Sequence, residues 1–204
     1  KKLDDFKILE EELYRQIKVG DIIFLSLRIP FYFGGTYYQD KQALQRFIKR
    51  DGSFVSQKEH FNEWIASVVN LASIAQKQGA KVIIQTPTPE WEKEYINPTC
   101  STSNIQWFNS LNKKNCQIES KFFIDEETGL YKHINAKLNK LSSTHKNIYL
   151  FDTYKVVCPD SKCSFTRDGI DIYYDDDHFS FGWARDFLSP EISRFINEIQ
   201  TTDK

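Results

Sequence analysis

Short runs of β-forming apolar residues alternate with longer amphipathic stretches along this chain, and that alternation constrains its fold more than any other feature. Ile22-Ile23-Phe24-Leu25-Ser26-Leu27 follows Gly20-Asp21 and reads as a strand buried on both faces. Arg28-Ile29-Pro30 ends it, and the aromatic stretch from Phe31 to Tyr38 reads as a loop. Lys81-Val82-Ile83-Ile84-Gln85-Thr86 is a second buried strand, stopped by Pro87-Thr88-Pro89. Asn147-Ile148-Tyr149-Leu150-Phe151-Asp152 is a third, and Ile170 to Tyr174 gives a short strand or edge. Helical spacing marks residues 3–18, 57–78, 128–142 and 183–199, with Gly79 as the C-cap of the second stretch. Residues 90–120 are polar and read as an excursion outside the core. This pattern predicts a single α/β domain over residues 1–204, with a mainly parallel sheet covered on both sides by helices. In such sheets chemistry gathers beyond the carboxyl ends of the strands. Those loops begin here at Arg28, Pro87, Asp152 and Asp175.

Charge and hydropathy exclude several function classes. The 27 Lys and Arg residues balance 28 Asp and Glu, which gives no global attraction to nucleic acid or an anionic membrane. No apolar run reaches the roughly 18 residues that span a bilayer. The chain has no Met and begins Lys1-Lys2, so it is expected to be a processed, excised or partial piece of a longer protein.

The cysteines form two local pairs, Cys100 with Cys116 and Cys158 with Cys163. Four cysteines allow three connectivities, and pairing neighbours closes the shortest loops. Disulfides in that pattern would place the chain in an oxidising compartment. Free thiols and a zinc site are the alternatives; the spacings lack the paired CxxC of common zinc sites.

The chemistry is concentrated in Tyr173-Tyr174-Asp175-Asp176-Asp177-His178-Phe179-Ser180. Asp175 stands three residues before His178, so on a tight turn its carboxylate can bond one ring nitrogen and leave the other to act as a base. A serine nucleophile needs such help because its hydroxyl is weakly acidic. A solvated acidic turn with a surface histidine fits the same spacing, as does a metal-binding cluster of Asp175, Asp176, Asp177 and His178.

The run from Ile172 to Ala184 (IYYDDDHFSFGWA) resembles the final block of SGNH hydrolases. It is most similar to the C-terminal SGNH domain of the membrane-bound acyltransferases of family three, which O-acetylate polysaccharides. The Cys158–Cys163 loop and the strands at 20–28 and 79–89 resemble further parts of that domain. The resemblance implies a three-layer α/β/α flavodoxin-like fold and a Ser-His-Asp acyl-enzyme mechanism, with His178 as base and Asp175 as its orienter. It implies no metal and no dissociable cofactor. It implies a glycan acceptor, an acyl donor, an associated membrane acyltransferase domain and a periplasmic or extracytoplasmic location.

This sequence contains no Gly-Asp-Ser, the block that carries the nucleophile in such proteins. The serine and the first strands are therefore expected upstream of Lys1. Ser26 reads as a core or strand-end residue, and Ser180 as a helix cap or turn residue. Arg28 stands roughly where the family's oxyanion asparagine would be, as a ligand for an oxyanion or a sugar oxygen, or as one half of a salt bridge. Phe31, Tyr32, Phe33, Tyr37 and Tyr38 read as packing or as a sugar-stacking wall. Trp183 reads as a packing residue, and His60, His133 and His145 as surface residues. A secreted esterase of the same fold and a non-catalytic binding module are the competing functions.

Overall fold

The three apolar runs form one sheet. A computed structural model describes residues 12, 14–33, 47–48, 54–91, 117–125, 127, 129–175 and 177–201. In chain order the elements are β1 (Ile22–Leu25), α1 (Ile29–Phe33), β2 (Phe47–Ile48), β3 (Phe54–Val55), α2 (Gln57–Lys77) and β4 (Lys81–Gln85). Then come β5 (Gln117–Glu119), α3 (Lys121–Ile124), α4 (Lys132–Thr144), β6 (Ile148–Phe151), α5 (Thr153–Val157) and β7 (Lys162–Ser164). The chain ends with β8 (Thr166–Arg167), β9 (Ile170–Asp171), α6 (Phe181–Trp183), a π turn (Ala184–Leu188) and α7 (Ser189–Thr201). It divides into two compact units, Lys1–Gln85 with Ala136–Leu150, and Thr86–Asn135 with Phe151–Lys204.

The first unit carries the sheet, in the order β1-β4-β6. β1 and β4 are parallel, with Ile22 opposite Lys81 and Leu25 opposite Ile84. The Val82 N–H donates to Asn147 O at 2.9 Å and the Thr86 N–H to Phe151 O at 3.0 Å. Both strands advance by the same number of residues between these bonds, so β6 is parallel as well. Val82, Ile83 and Ile84 are fully buried, as a central parallel strand requires. The four residues of β1 are only half-buried, which corrects the expectation of a strand covered on both faces. Among the described residues β1 is an end strand of this sheet, paired with β4.

Helix α2 starts where Ser56 Oγ accepts the Glu59 N–H at 3.2 Å, a side-chain cap for an otherwise unpaired donor. It ends one residue earlier than expected: Gln78 is the cap residue, and Gly79 follows it with φ +72°. Ala72 and Ala75 are fully buried, and buried Asn147 donates from Nδ2 to Ala72 O at 2.8 Å. The expected loop after β1 is instead the one-turn helix α1, because Phe33 finds a binding place. Its ring lies 5.0 Å from Phe61, 5.3 Å from Trp64 and 4.9 Å from His60. His60 is thus half-buried rather than a surface residue. His145 is half-buried too, its Nδ1 2.9 Å from Thr144 Oγ1, whereas His133 is exposed as expected.

The second unit is built on aromatic packing. Trp91 is buried, with its ring at 5.7 Å from Phe165 and 5.9 Å from Tyr173, both T-shaped. This overturns the reading of everything after Pro89 as outside the core; of that stretch, residues 92–116 lie outside the described residues. Tyr173 meets Phe179 at 5.2 Å, and Phe179 meets buried Trp183 at 4.8 Å. β5 pairs antiparallel with β7, Ile118 opposite Cys163, and Cys163 closes a disulfide with Cys158. β8 and β9 form a hairpin whose turn residues Asp168 and Gly169 both have positive φ, 50° and 77°, as a tight two-residue turn demands. Cys100, Cys116, Trp107, Tyr37, Tyr38 and Asp176 lie outside the described residues.

Candidate functional site

The acidic turn is held by a short antiparallel crossing. Tyr173 and Phe179 form a β-bridge, flanked by the Tyr174 N–H donating to His178 O at 2.7 Å and the Ser180 N–H donating to Ile172 O at 2.8 Å. The loop between them is closed by Asp175. Its Oδ1 accepts the backbone N–H of His178 at 2.8 Å and of Asp177 at 3.1 Å. An aspartate side chain closing its own turn is common local chemistry, and here it also fixes the histidine's backbone.

The side chains meet as the spacing predicts. His178 Nδ1 lies 2.9 Å from Asp175 Oδ2 and 3.0 Å from Asp175 Oδ1. Nδ1 therefore carries the proton when the ring is neutral, and Nε2 is then the basic nitrogen. Partial desolvation pushes the Asp175 carboxyl up. The two backbone N–H groups, the His178 ring and its charge outweigh that, and the carboxyl titrates below its ordinary 3.8. Asp175 stays ionised at neutral pH. The imidazole side chain is 71% exposed and that of Asp175 39%.

A second carboxylate was not singled out as a partner by spacing. Asp177 Oδ1 stands 3.3 Å from His178 Nδ1, and its side chain is only 6% exposed. Asp175, Asp177 and His178 thus offer three ligand atoms within 4.8 Å of one another. Both carboxylates already face the same ring nitrogen, which accounts for the cluster without an ion.

Glu90 was also missed. It follows Pro87-Thr88-Pro89 at the carboxyl end of β4 and is 2% exposed. Burial pushes the Tyr173 hydroxyl well above its ordinary value; Trp91 opposes this and the Glu90 charge adds to it. Burial likewise raises the Tyr154 hydroxyl, with Tyr173, Glu90 and Asp152 contributing. The available signal was a carboxylate placed directly between a strand-ending Pro-Thr-Pro and a tryptophan.

The remaining candidates fall as follows. Ser180 caps α6, accepting the Trp183 N–H at 3.2 Å and donating to Asp171 O. Ser26 is an exposed strand-end residue that donates to Gln85 Oε1 at 2.8 Å, so it is not part of the core. Arg28 belongs to the first unit and the dyad to the second; its guanidinium lies 4.9 Å from the Phe31 ring centroid. Phe33 is buried packing, and Phe31 and Tyr32 are half-buried with rings 5.3 Å apart. Cys158 and Cys163 are joined as the loop spacing suggested. Among the described residues, no helix is long and apolar enough to cross a membrane.

With this geometry in place, the comparison with known families is specific. Residues 4–188 match the family model of the SGNH domain fused to AT3 domains, AT3 being the membrane-bound acyltransferases of family three. The match covers most of the chain, and the chain belongs to that family. Its parallel α/β sheet accords with membership. No curated protein and no solved structure matches the chain.

Proposed function

We propose that this member of the AT3-fused SGNH family is the acyl-transfer part of a carbohydrate O-acyltransferase, acting through an acyl-serine intermediate. The observation that carries the reading is the direct contact of Asp175 with His178 Nδ1, inside a family associated with membrane acyltransferases. On this reading the nucleophilic serine lies outside these 204 residues, which contain no Gly-Asp-Ser. His178 Nε2 takes the serine proton as the hydroxyl attacks the acyl donor, then delivers it to the leaving oxygen. Asp175 holds the ring in one tautomer and offsets the charge of the imidazolium. Transfer reverses the order: an acceptor hydroxyl gives its proton to Nε2 as its oxygen takes the acyl group. These steps use side chains alone.

The finer assignments rest on the resemblance. The acyl group is acetyl and the acceptor a surface polysaccharide. The chain lies outside the cytoplasm beside its membrane acyltransferase, and Arg28 binds an oxyanion or sugar oxygen. The two units act as one domain, because the family match runs through both. The disulfide supports the location, since such bonds persist in oxidising compartments.

The deciding experiment is acyl transfer by the intact protein carrying His178→Ala. Loss of turnover by about two orders of magnitude or more is expected; retained transfer refutes the assignment. An esterase of the same fold is distinguished by the partition of the acyl group between water and glycan.

A further inference from the structure

In the acyl-serine mechanism His178 also needs a surface beside it that seats the group with which it trades its proton. The antiparallel crossing identifies one. Side chains alternate across a strand, so residues opposite each other share a face. Tyr173 and Phe179 pack together on one face. Tyr174 and His178, joined by the Tyr174 N–H bond to His178 O, are the next pair and turn to the other. Their exposures agree: Tyr174 is 82% exposed, beside a His178 side chain that is 71% exposed. A tyrosine held this open beside a buried aromatic cluster leaves a large apolar face in water. Among the described residues its side chain has no partner. Phe181 is the other exposed aromatic nearby in sequence, but Arg185 lies 5.8 Å from its ring centroid.

Resting on the acyl-serine reading, we propose that Tyr174 is the platform for the leaving group and, in transfer, for the sugar ring that carries the acceptor hydroxyl. In acylation the bond from serine Oγ to the acyl carbon forms and the bond to the leaving oxygen breaks; the serine proton passes through Nε2 to that oxygen. In transfer the acceptor oxygen bonds the acyl carbon and the serine Oγ–acyl bond breaks; the acceptor proton passes through Nε2 back to Oγ. One place beside Nε2 therefore holds the leaving group first and the acceptor second. Tyr174 shares a face with that ring, so an apolar sugar face or an aryl group stacks on it. Tyr174 is a substrate-positioning residue, and the hydroxyl is not needed for the stacking.

The test uses the intact protein with two defined esters, 4-nitrophenyl acetate and ethyl acetate. They share an acyl group and differ in whether the leaving group can stack. The ratio of kcat/KM, aryl over alkyl, is expected to fall about fivefold in Tyr174→Ala, through KM, and to return in Tyr174→Phe. The thermal midpoint should not move, because the side chain is exposed. An unchanged ratio overturns the proposal, and so does an equal loss on both esters. If His178→Ala leaves turnover of both esters intact, or the intact protein hydrolyses neither, the acyl-serine reading itself fails and takes the platform with it.

Discussion

Replacing Asp175 by Asn should nearly abolish activity while hardly disturbing the fold. Oδ1 of Asp175 already accepts two backbone N–H bonds, from His178 and Asp177, and Oδ2 faces His178 Nδ1 at 2.9 Å. An asparagine keeps its single oxygen where those two donors hold it, so its amide nitrogen takes the place of Oδ2. That nitrogen can only donate. Nδ1 loses its nearest acceptor and faces a donor, which shifts the ring proton toward Nε2 and blocks the nitrogen proposed as base, against the pull of the remaining oxygens of residue 175 at 3.0 Å and Asp177 at 3.3 Å. In a Ser-His-Asp triad the same exchange costs about 10⁴ in kcat. The stability cost is small. Asp175 is 39% exposed, so solvent screening holds the loss of its charge to about 1 kcal/mol or less. For a chain of this size that is about 2–4 °C in Tm. Asp177→Asn should cost less activity, because its oxygen stands farther from the ring, at 3.3 Å. The assay is kcat for acyl transfer beside calorimetry, with ¹⁵N NMR of the imidazole to read the tautomer. An Asp175→Asn protein within threefold of wild type refutes the reasoning, as does an Nδ1-protonated ring in it.

Three further outcomes follow from the same geometry. The Asp175 carboxyl should titrate below 3.8 by NMR. Because its folded pKa lies under its unfolded one, its contribution to stability is present above the unfolded value of about 3.9 and is lost as pH falls through the folded one; a midpoint at or above 3.8 contradicts the closed turn. Cys158→Ser with Cys163→Ser should lower stability by about 2 kcal/mol, the loop entropy of so short a crosslink, and non-reducing peptide mapping should recover the Cys158–Cys163 pair. A Cβ at Gly129 would stand 2.5 Å from Asp125 N and 2.8 Å from Phe123 O, so Gly129→Ala should destabilise by about 2–3 kcal/mol in denaturant titration. A loss under 0.5 kcal/mol would show that this turn yields easily.

What the sequence made legible follows its periodicity. β4, β6 and α2 lie within a residue or two of where their apolar patterns put them, because a buried central strand and a capped amphipathic helix are set by local composition. Asp175 and His178 were legible because three residues is the reach of an Asx turn. Exposure was not. β1 reads as apolar as β4 yet is only half-buried, since burial depends on neighbours in the sheet and not on the strand's own residues. α1 was hidden for a similar reason: its helix depends on Phe33 reaching Phe61 and Trp64, about thirty residues along the chain. The burial of Asp177 beside the ring, and Glu90 altogether, were not legible because a carboxylate in a polar run carries no mark of burial. The Glu90 charge matters only once Tyr154 and Tyr173 are packed near it.

The contacts that close the turn of the dyad belong to the second unit. Asp175 closes its own turn, and Tyr173 and Phe179 anchor both ends of that turn to Trp91, Phe165 and Trp183. Ser180, two residues after the histidine, then caps α6, so the chain leaves the turn along a fixed path. The tautomer is therefore set by the turn itself, which is the preorganisation the proposed base requires. Loss of Phe179 packing should act on catalysis through this anchor alone. Phe179→Ala should reduce kcat for the intact protein while KM for 4-nitrophenyl acetate stays near wild type, the reverse of Tyr174→Ala. The two variants separate the setting of the base from the seating of its partner. A KM effect from Phe179→Ala would mean that the inner face of the crossing also touches substrate, and the division between the two faces would have to be abandoned.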